Sequence, residues 1–147
     1  MGVTAFGTVL CIEQTNNGEI IIGGQDIQTA GPNDIGILGV ASFSETEGWG
    51  NFDGGLPLNG NLTSYVNDLE YDEVNDRLFA VGRFGSLGTS IGGVAVWQGG
   101  VWNFVSNLGP TFAFSTLHYS QQTSLLYLGG SFDFTGILPN TTVGIMT

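Results

Sequence analysis

One phrase recurs three times along this chain, and it narrows the available folds more than any other feature. Ile20-Ile21-Ile22-Gly23-Gly24 returns as Phe79-Ala80-Val81-Gly82-Arg83-Phe84, and again as Tyr127-Leu128-Gly129-Gly130-Ser131-Phe132. The first glycines are 59 and 47 residues apart. Self-similarity at such a spacing marks a supersecondary unit used several times. Each phrase follows an alternating strand candidate: Val9 to Glu13, Val66 to Tyr71, and Phe114 to Tyr119. Polar turns join the two parts of each pair. They are Asn16-Asn17-Gly18, then Asp72 to Asp76, then Gln121 to Ser124. Asn-Gly is the strongest hairpin signal of the three.

The pattern continues beyond each glycine. Third strands read Val40-Ala41-Ser42-Phe43, Val94-Ala95-Val96-Trp97 and Val143-Gly144-Ile145-Met146. A fourth begins near Trp49 in the first unit and covers Val101 to Val105, around Trp102, in the second. Differences in spacing fall between strands, where added length costs little closure entropy. The units are approximately 7–59, 60–109 and 110–147, within one repeat region spanning 1–147. Residues 1–6 are left over as a strand for another unit. The chain has 25 glycines in 147 residues with no three-residue period, so it is not collagen-like. Ten Phe, four Tyr and three Trp are enough to build a core. The expectation is an all-β domain of short antiparallel strands.

Leu126-Tyr127-Leu128-Gly129-Gly130-Ser131-Phe132, and Gly93-Val94-Ala95-Val96-Trp97 followed by Trp102, resemble the kelch group of β-propeller repeats. More narrowly, they are similar to the repeats of galactose-oxidase-like propellers and of fungal cortical polarity-marker proteins. Phe43 and Trp49 stand six apart, the aromatic spacing usual in kelch repeats, while Trp97 and Trp102 stand five apart. The repeat positions that carry the resemblance are Gly23, Gly24, Gly82, Gly129, Gly130, Phe43, Trp49, Trp97 and Trp102. Arg83 takes the place of the second glycine in the middle unit.

The resemblance implies about three β-propeller-type blades, the last incomplete, within a larger or oligomeric assembly, because a closed propeller needs four or more. The segment Val3 to Phe6 and the missing last strand are complementary. Two copies would close a ring of six, and an open head-to-tail series would make a filament. A β-sandwich or β-roll is the alternative architecture.

Charge excludes several partners. Two arginines, Arg77 and Arg83, face 13 acidic residues, for a net charge of −11. Such a field repels phosphate backbones and anionic lipid, so no nucleic acid is expected as a partner. No run is long enough for a membrane span, and Met1 to Phe6 lack a signal-peptide pattern. The composition is compatible with extracellular, cell-surface or virion assemblies.

Single residues offer little chemistry. His118, the sole histidine, shares a face with Thr116 and has no nucleophile supplied by a motif. With one His and one Cys, the copper ligand set that a galactose-oxidase likeness would imply is absent, and no cofactor is expected. Cys11 reads as a small buried hydrophobe without a positive neighbour. Asp68, Glu70, Asp72, Glu73 and Asp76 read as a solvated hairpin tip, with calcium as the alternative, although the calcium-loop spacing is missing. Glu45, Glu47, Asp53 and Asp133 are carboxylates with no fixed separation, so no glycosidase pair is assigned. Asn61-Leu62-Thr63 and Asn140-Thr141-Thr142 have the form of glycosylation acceptors in loops. The tryptophans read as packing residues, or else as the walls of a sugar-binding groove.

The expected function is a non-enzymatic structural or protein-interaction module that self-assembles or docks in a larger scaffold through incomplete blades. The alternative is a carbohydrate-binding, lectin-like module with a glycan partner.

Overall fold

Turn chemistry sets the register of this molecule before any long-range packing does. The computed structural model describes residues 4–30, 39–52, 55–56, 65–86, 89–105, 113–134 and 138–146. Among them lie eleven strands: β1 (Thr4–Gln14), β2 (Ile20–Ala30), β3 (Val40–Ser44), β4 (Gly48–Asn51), β5 (Tyr65–Asp72), β6 (Arg77–Ser86), β7 (Thr89–Gln98), β8 (Val101–Val105), β9 (Ala113–Ser120), β10 (Leu125–Phe134) and β11 (Leu138–Met146). The fold is all-β. Three hairpins, β1–β2, β5–β6 and β9–β10, close through a residue in the left-handed region. These residues are Gly18 (φ 86°), Asp76 (φ 50°) and Ser124 (φ 56°). Asp is among the side chains that tolerate that region best.

The hairpins share one register. Gly24 pairs with Val9, Gly82 with Val66, and Gly130 with Phe114. Directly beyond each pair the first strand carries one extra residue: Leu10, Asn67 or Ser115. A Cβ on Gly24, Gly82 or Gly130 would run into the backbone carbonyl of Thr8, Tyr65 or Ala113. Close backbone approach at a β-bulge is therefore what the recurring glycine provides.

The units do not stand apart as blades. β2 extends past its glycines to Ala30, and its Gln25 pairs with Tyr65 of β5. That contact joins the first eight strands into one sheet along the path β4-β3-β2-β5-β6-β7-β8, with β1 paired to β2. β9, β10 and β11 form a separate three-stranded sheet, in the order β11-β10-β9. The kelch-like, propeller-blade architecture expected from the repeat is thus corrected to an open, curled half-barrel sheet with a small second sheet. The spacing of repeats reports hairpins, and it is blind to the strand extension that fuses two of them. Thr4, Ala5 and Phe6, set apart above as a strand for another unit, are the start of β1 and pair with Ala30, Thr29 and Gln28.

Curling lets the sheet bury its own faces. Ile21 of β2 and Val40 of β3 pack with Val66, Leu69, Leu78, Ala80 and Phe84 of β5 and β6, along with Phe52 and Leu56. On the other face of β6 and β7, Phe79, Val81 and Val94 pack against Phe114, Leu117, Tyr119, Leu126 and Leu128 of the small sheet. β6 therefore reads as an unbroken apolar run, Leu78-Phe79-Ala80-Val81, because alternate residues serve two cores. Burying each such large side chain stabilises the fold by about 1.5–3 kcal/mol.

Candidate functional site

The opening strands of the three hairpins lie side by side, with β1 packed on β5 and β5 on β9. A polar seam stitches β5 to β9. Asn67 Nδ2 donates to the Phe114 carbonyl at 2.6 Å. Asp68 Oδ2 accepts from Thr116 Oγ1 at 2.6 Å and from the Leu117 amide at 2.9 Å. Glu70 Oε1 lies 3.1 Å from His118 Nδ1. Asp68, Glu70 and Asp72 pair with Val81, Phe79 and Arg77, so alternation places all three on the face turned to the small sheet.

Asp72 anchors the end of this seam. It is fully buried, whereas Glu73, Val74, Asn75 and Asp76 of the hairpin tip are exposed. Its Oδ1 accepts from the Val74 and Asn75 amides, both at 3.2 Å, and from Gln121 Nε2 at 2.7 Å. Its Oδ2 accepts from Asn75 Nδ2 and Arg77 Nε, both at 2.9 Å, and from Arg77 Nη2. Arg77 also donates to the Tyr119 hydroxyl at 2.9 Å. Its guanidinium lies 5.2 Å and 5.3 Å from the Phe79 and Tyr119 ring centroids. Burial alone would raise the Asp72 pKa, but the hydrogen bonds from Asn75, Arg77 and Gln121 outweigh it and hold the carboxyl down at about 2. With both oxygens engaged, Asp72 acts as a latch between the sheets.

The other titratable groups along these strands behave differently. Burial raises the carboxyl pKa of Glu70, and the nearby His118 partly offsets the shift. Burial also raises that of Glu13, and the negative charges of Glu70 and Asp68 add to it. Cys11 is half-buried, and desolvation followed by the charge of Asp68 pushes its thiol up to about 12. It is a thiol rather than a thiolate at neutral pH, and so an inert packing group.

β1 exposes what its counterparts bury. Val9, Leu10 and Ile12 are 51%, 49% and 64% exposed. The register equivalents of Val9 are Val66 (0%) and Phe114 (3%), and those of Ile12 are Leu69 (2%) and Leu117 (5%). Val101 and Phe104 on edge strand β8 are exposed as well.

The repeat aromatics form cross-strand pairs. Phe43 pairs with Trp49 across β3 and β4, their rings 5.3 Å apart, and Trp97 pairs with Trp102 across β7 and β8. Trp97 and Trp102 pack on Phe52 at 4.8 Å and 6.2 Å, and their indole N–H groups are buried without a partner among the described residues. Gly23 and Gly129 sit one step from the close-approach glycines, where an added Cβ would meet side chains of Cys11 and Val66, or of Thr116. Glu45 and Glu47 lie in the exposed turn between β3 and β4, away from the seam. Asn140 to Thr142 lie within β11 and not in a loop, while Asp53 and residues 61–63 fall outside the described residues.

Among the described residues, no cluster of three or more His, Cys, Asp or Glu side chains could hold a metal ion. No helix there is long and apolar enough to cross a membrane. The chain matches no family model, no curated protein and no solved structure.

The exposed β1 side chains and the Asp72–Arg77 latch were not singled out by sequence reasoning. Val9 and Ile12 carry no signal of exposure, since they look like Val66 and Leu69. A signal for the latch was present: Asp72 and Arg77 flank a four-residue turn, an arrangement that places a cation opposite a carboxylate across the hairpin.

Proposed function

We propose that this chain is a structural or protein-interaction module that works by associating through exposed faces and edges of its sheets. The observation that carries the reading is the set Val9, Leu10 and Ile12 on β1, three large apolar side chains within four residues, each about half or more exposed. Large apolar side chains exposed close together on one strand of a small domain are candidates for an association site. Outer strands such as β4 and β8, each paired on one side among the described residues, give a second means of docking by strand addition. The chemistry of the seam supports a scaffold role: its polar groups are turned on each other, with Asp72, Asp68 and Glu70 all partnered within the chain.

The test is absolute mass by light scattering after size exclusion, across a range of concentrations. Mass rising above 15.5 kDa with concentration supports self-association. A strict 15.5 kDa species at every concentration, with no change on substituting Ile12 by Lys, contradicts it.

A further inference from the structure

The three hairpins give the open β1 face an internal template for what covers it. Val66 and Leu69 of the second hairpin are capped by Ile21 and Val40, which lie on the far face of the preceding hairpin and its third strand. Phe114 and Leu117 of the third hairpin are capped by Phe79, Val81 and Val94, which occupy the same far face one unit on. Register makes these caps equivalent: Ile21 and Phe79 lie opposite Glu13 and Glu70, and Val40 and Val94 pair with Gly23 and Val81. The third hairpin has its own version of this face. Tyr127 lies opposite His118, Gly129 lies opposite Thr116, and Val143 pairs with Gly129. Nothing among the described residues follows it in the way that the second and third hairpins follow their predecessors. Among the described residues, Val9 and Ile12 are the exposed members of their series.

We infer that the face of β1 bearing Val9 and Ile12 takes the outer face of the small sheet of a second copy, around Tyr127 and His118. This rests on the self-association proposed above and specifies its geometry. The contact is head to tail, with two different patches meeting, so a copy with one patch blocked keeps the other. Polar complementarity agrees with the pairing. Glu13, Glu70 and His118 occupy one register position in the three hairpins. Within the chain, Glu70 meets His118 at 3.1 Å. Extending the series places His118, whose side chain is 68% exposed, beside Glu13 of the next copy.

The experiment uses two full-length variants, Ile12→Asp and Tyr127→Asp, each checked for native circular dichroism. Each alone is expected to lose association and run at 15.5 kDa. Mixed one to one, they are expected to give a two-chain species and nothing larger, because one good patch of each kind remains. A second pair avoids burying new charge: Ile12→Cys and Tyr127→Cys chains, both carrying Cys11→Ser, should form a disulfide with each other on mild oxidation. The inference is overturned if the mixture stays monomeric while the wild type associates. It is equally overturned if Tyr127→Asp associates like the wild type, or if Ile12→Cys chains link only among themselves. A wild type that never associates overturns the self-association reading itself, and that outcome is distinct from the others.

Discussion

The first and second hairpins of this molecule have the same register and opposite surroundings. In β5, Leu69 is covered by the arm of the sheet that precedes it, and in β1 the matching Ile12 is 64% exposed. The turns differ in the same direction. Asp72 closes the second hairpin as a buried carboxylate held by Arg77 and by Gln121 of the small sheet. Thr15, at the matching position, is buried, and its hydroxyl bonds within its own hairpin, to Asn17 Oδ1 and to the Glu19 carbonyl at 3.2 Å. Local sequence makes the hairpin. The neighbour on either side decides whether it becomes core, latch or open surface.

Breaking the latch is the strongest way to test this contrast. Asp72→Ala takes the carboxylate from Arg77, which keeps the Tyr119 hydroxyl, and the acceptor from Asn75 and Gln121, and should cost about 3–5 kcal/mol in urea denaturation. Thr15→Ala, at the matching position, should cost about 1 kcal/mol. The apolar pair gives the next largest difference. Leu69→Ala should cost about 2–5 kcal/mol, the range for a fully buried leucine. Ile12→Ala should stay within about 0.5 kcal/mol, measured at dilutions where the chain is alone.

Acid supplies a third, smaller effect. The Asp72 pKa is lowered to about 2, below the ordinary aspartate value, so as pH falls the unfolded chain takes up the proton first. Its stabilisation is full above about pH 4 and is lost as pH drops through about 2, amounting to about 2 kcal/mol. Asp72→Asn should remove that portion of the acid slope, and an unchanged slope would contradict the hydrogen-bonded latch. The smallest effect in energy is kinetic. With its thiol at about 12, Cys11 should react with a neutral disulfide reagent at pH 8 orders of magnitude more slowly in the folded protein than in urea.

The sequence exposed the hairpins clearly. Asn17-Gly18 and the Gly24, Gly82 and Gly130 positions are constrained locally, by a positive φ and by a backbone carbonyl at the bulge, so a short window is enough to find them. The architecture was not legible from those windows. It turns on Gln25 meeting Tyr65, a pair forty residues apart with no distinguishing side-chain chemistry. The resemblance to propeller repeats therefore captured recurring local geometry and missed how the units are joined. Asp72 was misjudged for a related reason: a carboxylate in an acidic turn looks solvated until Arg77 and Gln121 are seen to converge on it, with Tyr119 bonded in turn to Arg77. Ile12 and Leu69 are both aliphatic residues followed by a glutamate at the same hairpin register, so no local rule separates exposed from buried.

The most direct test is side-chain methyl NMR with a soluble paramagnetic probe, following Val9, Ile12, Val66 and Leu69 across a concentration series. At high dilution the methyls of Val9 and Ile12 should broaden strongly, while those of Val66 and Leu69 stay sharp. As concentration rises, Val9 and Ile12 should become protected while Val66 and Leu69 do not change. Equal broadening of Ile12 and Leu69 at dilution would contradict the curled sheet, and Val9 and Ile12 that stay exposed at every concentration would contradict the assembly built on it.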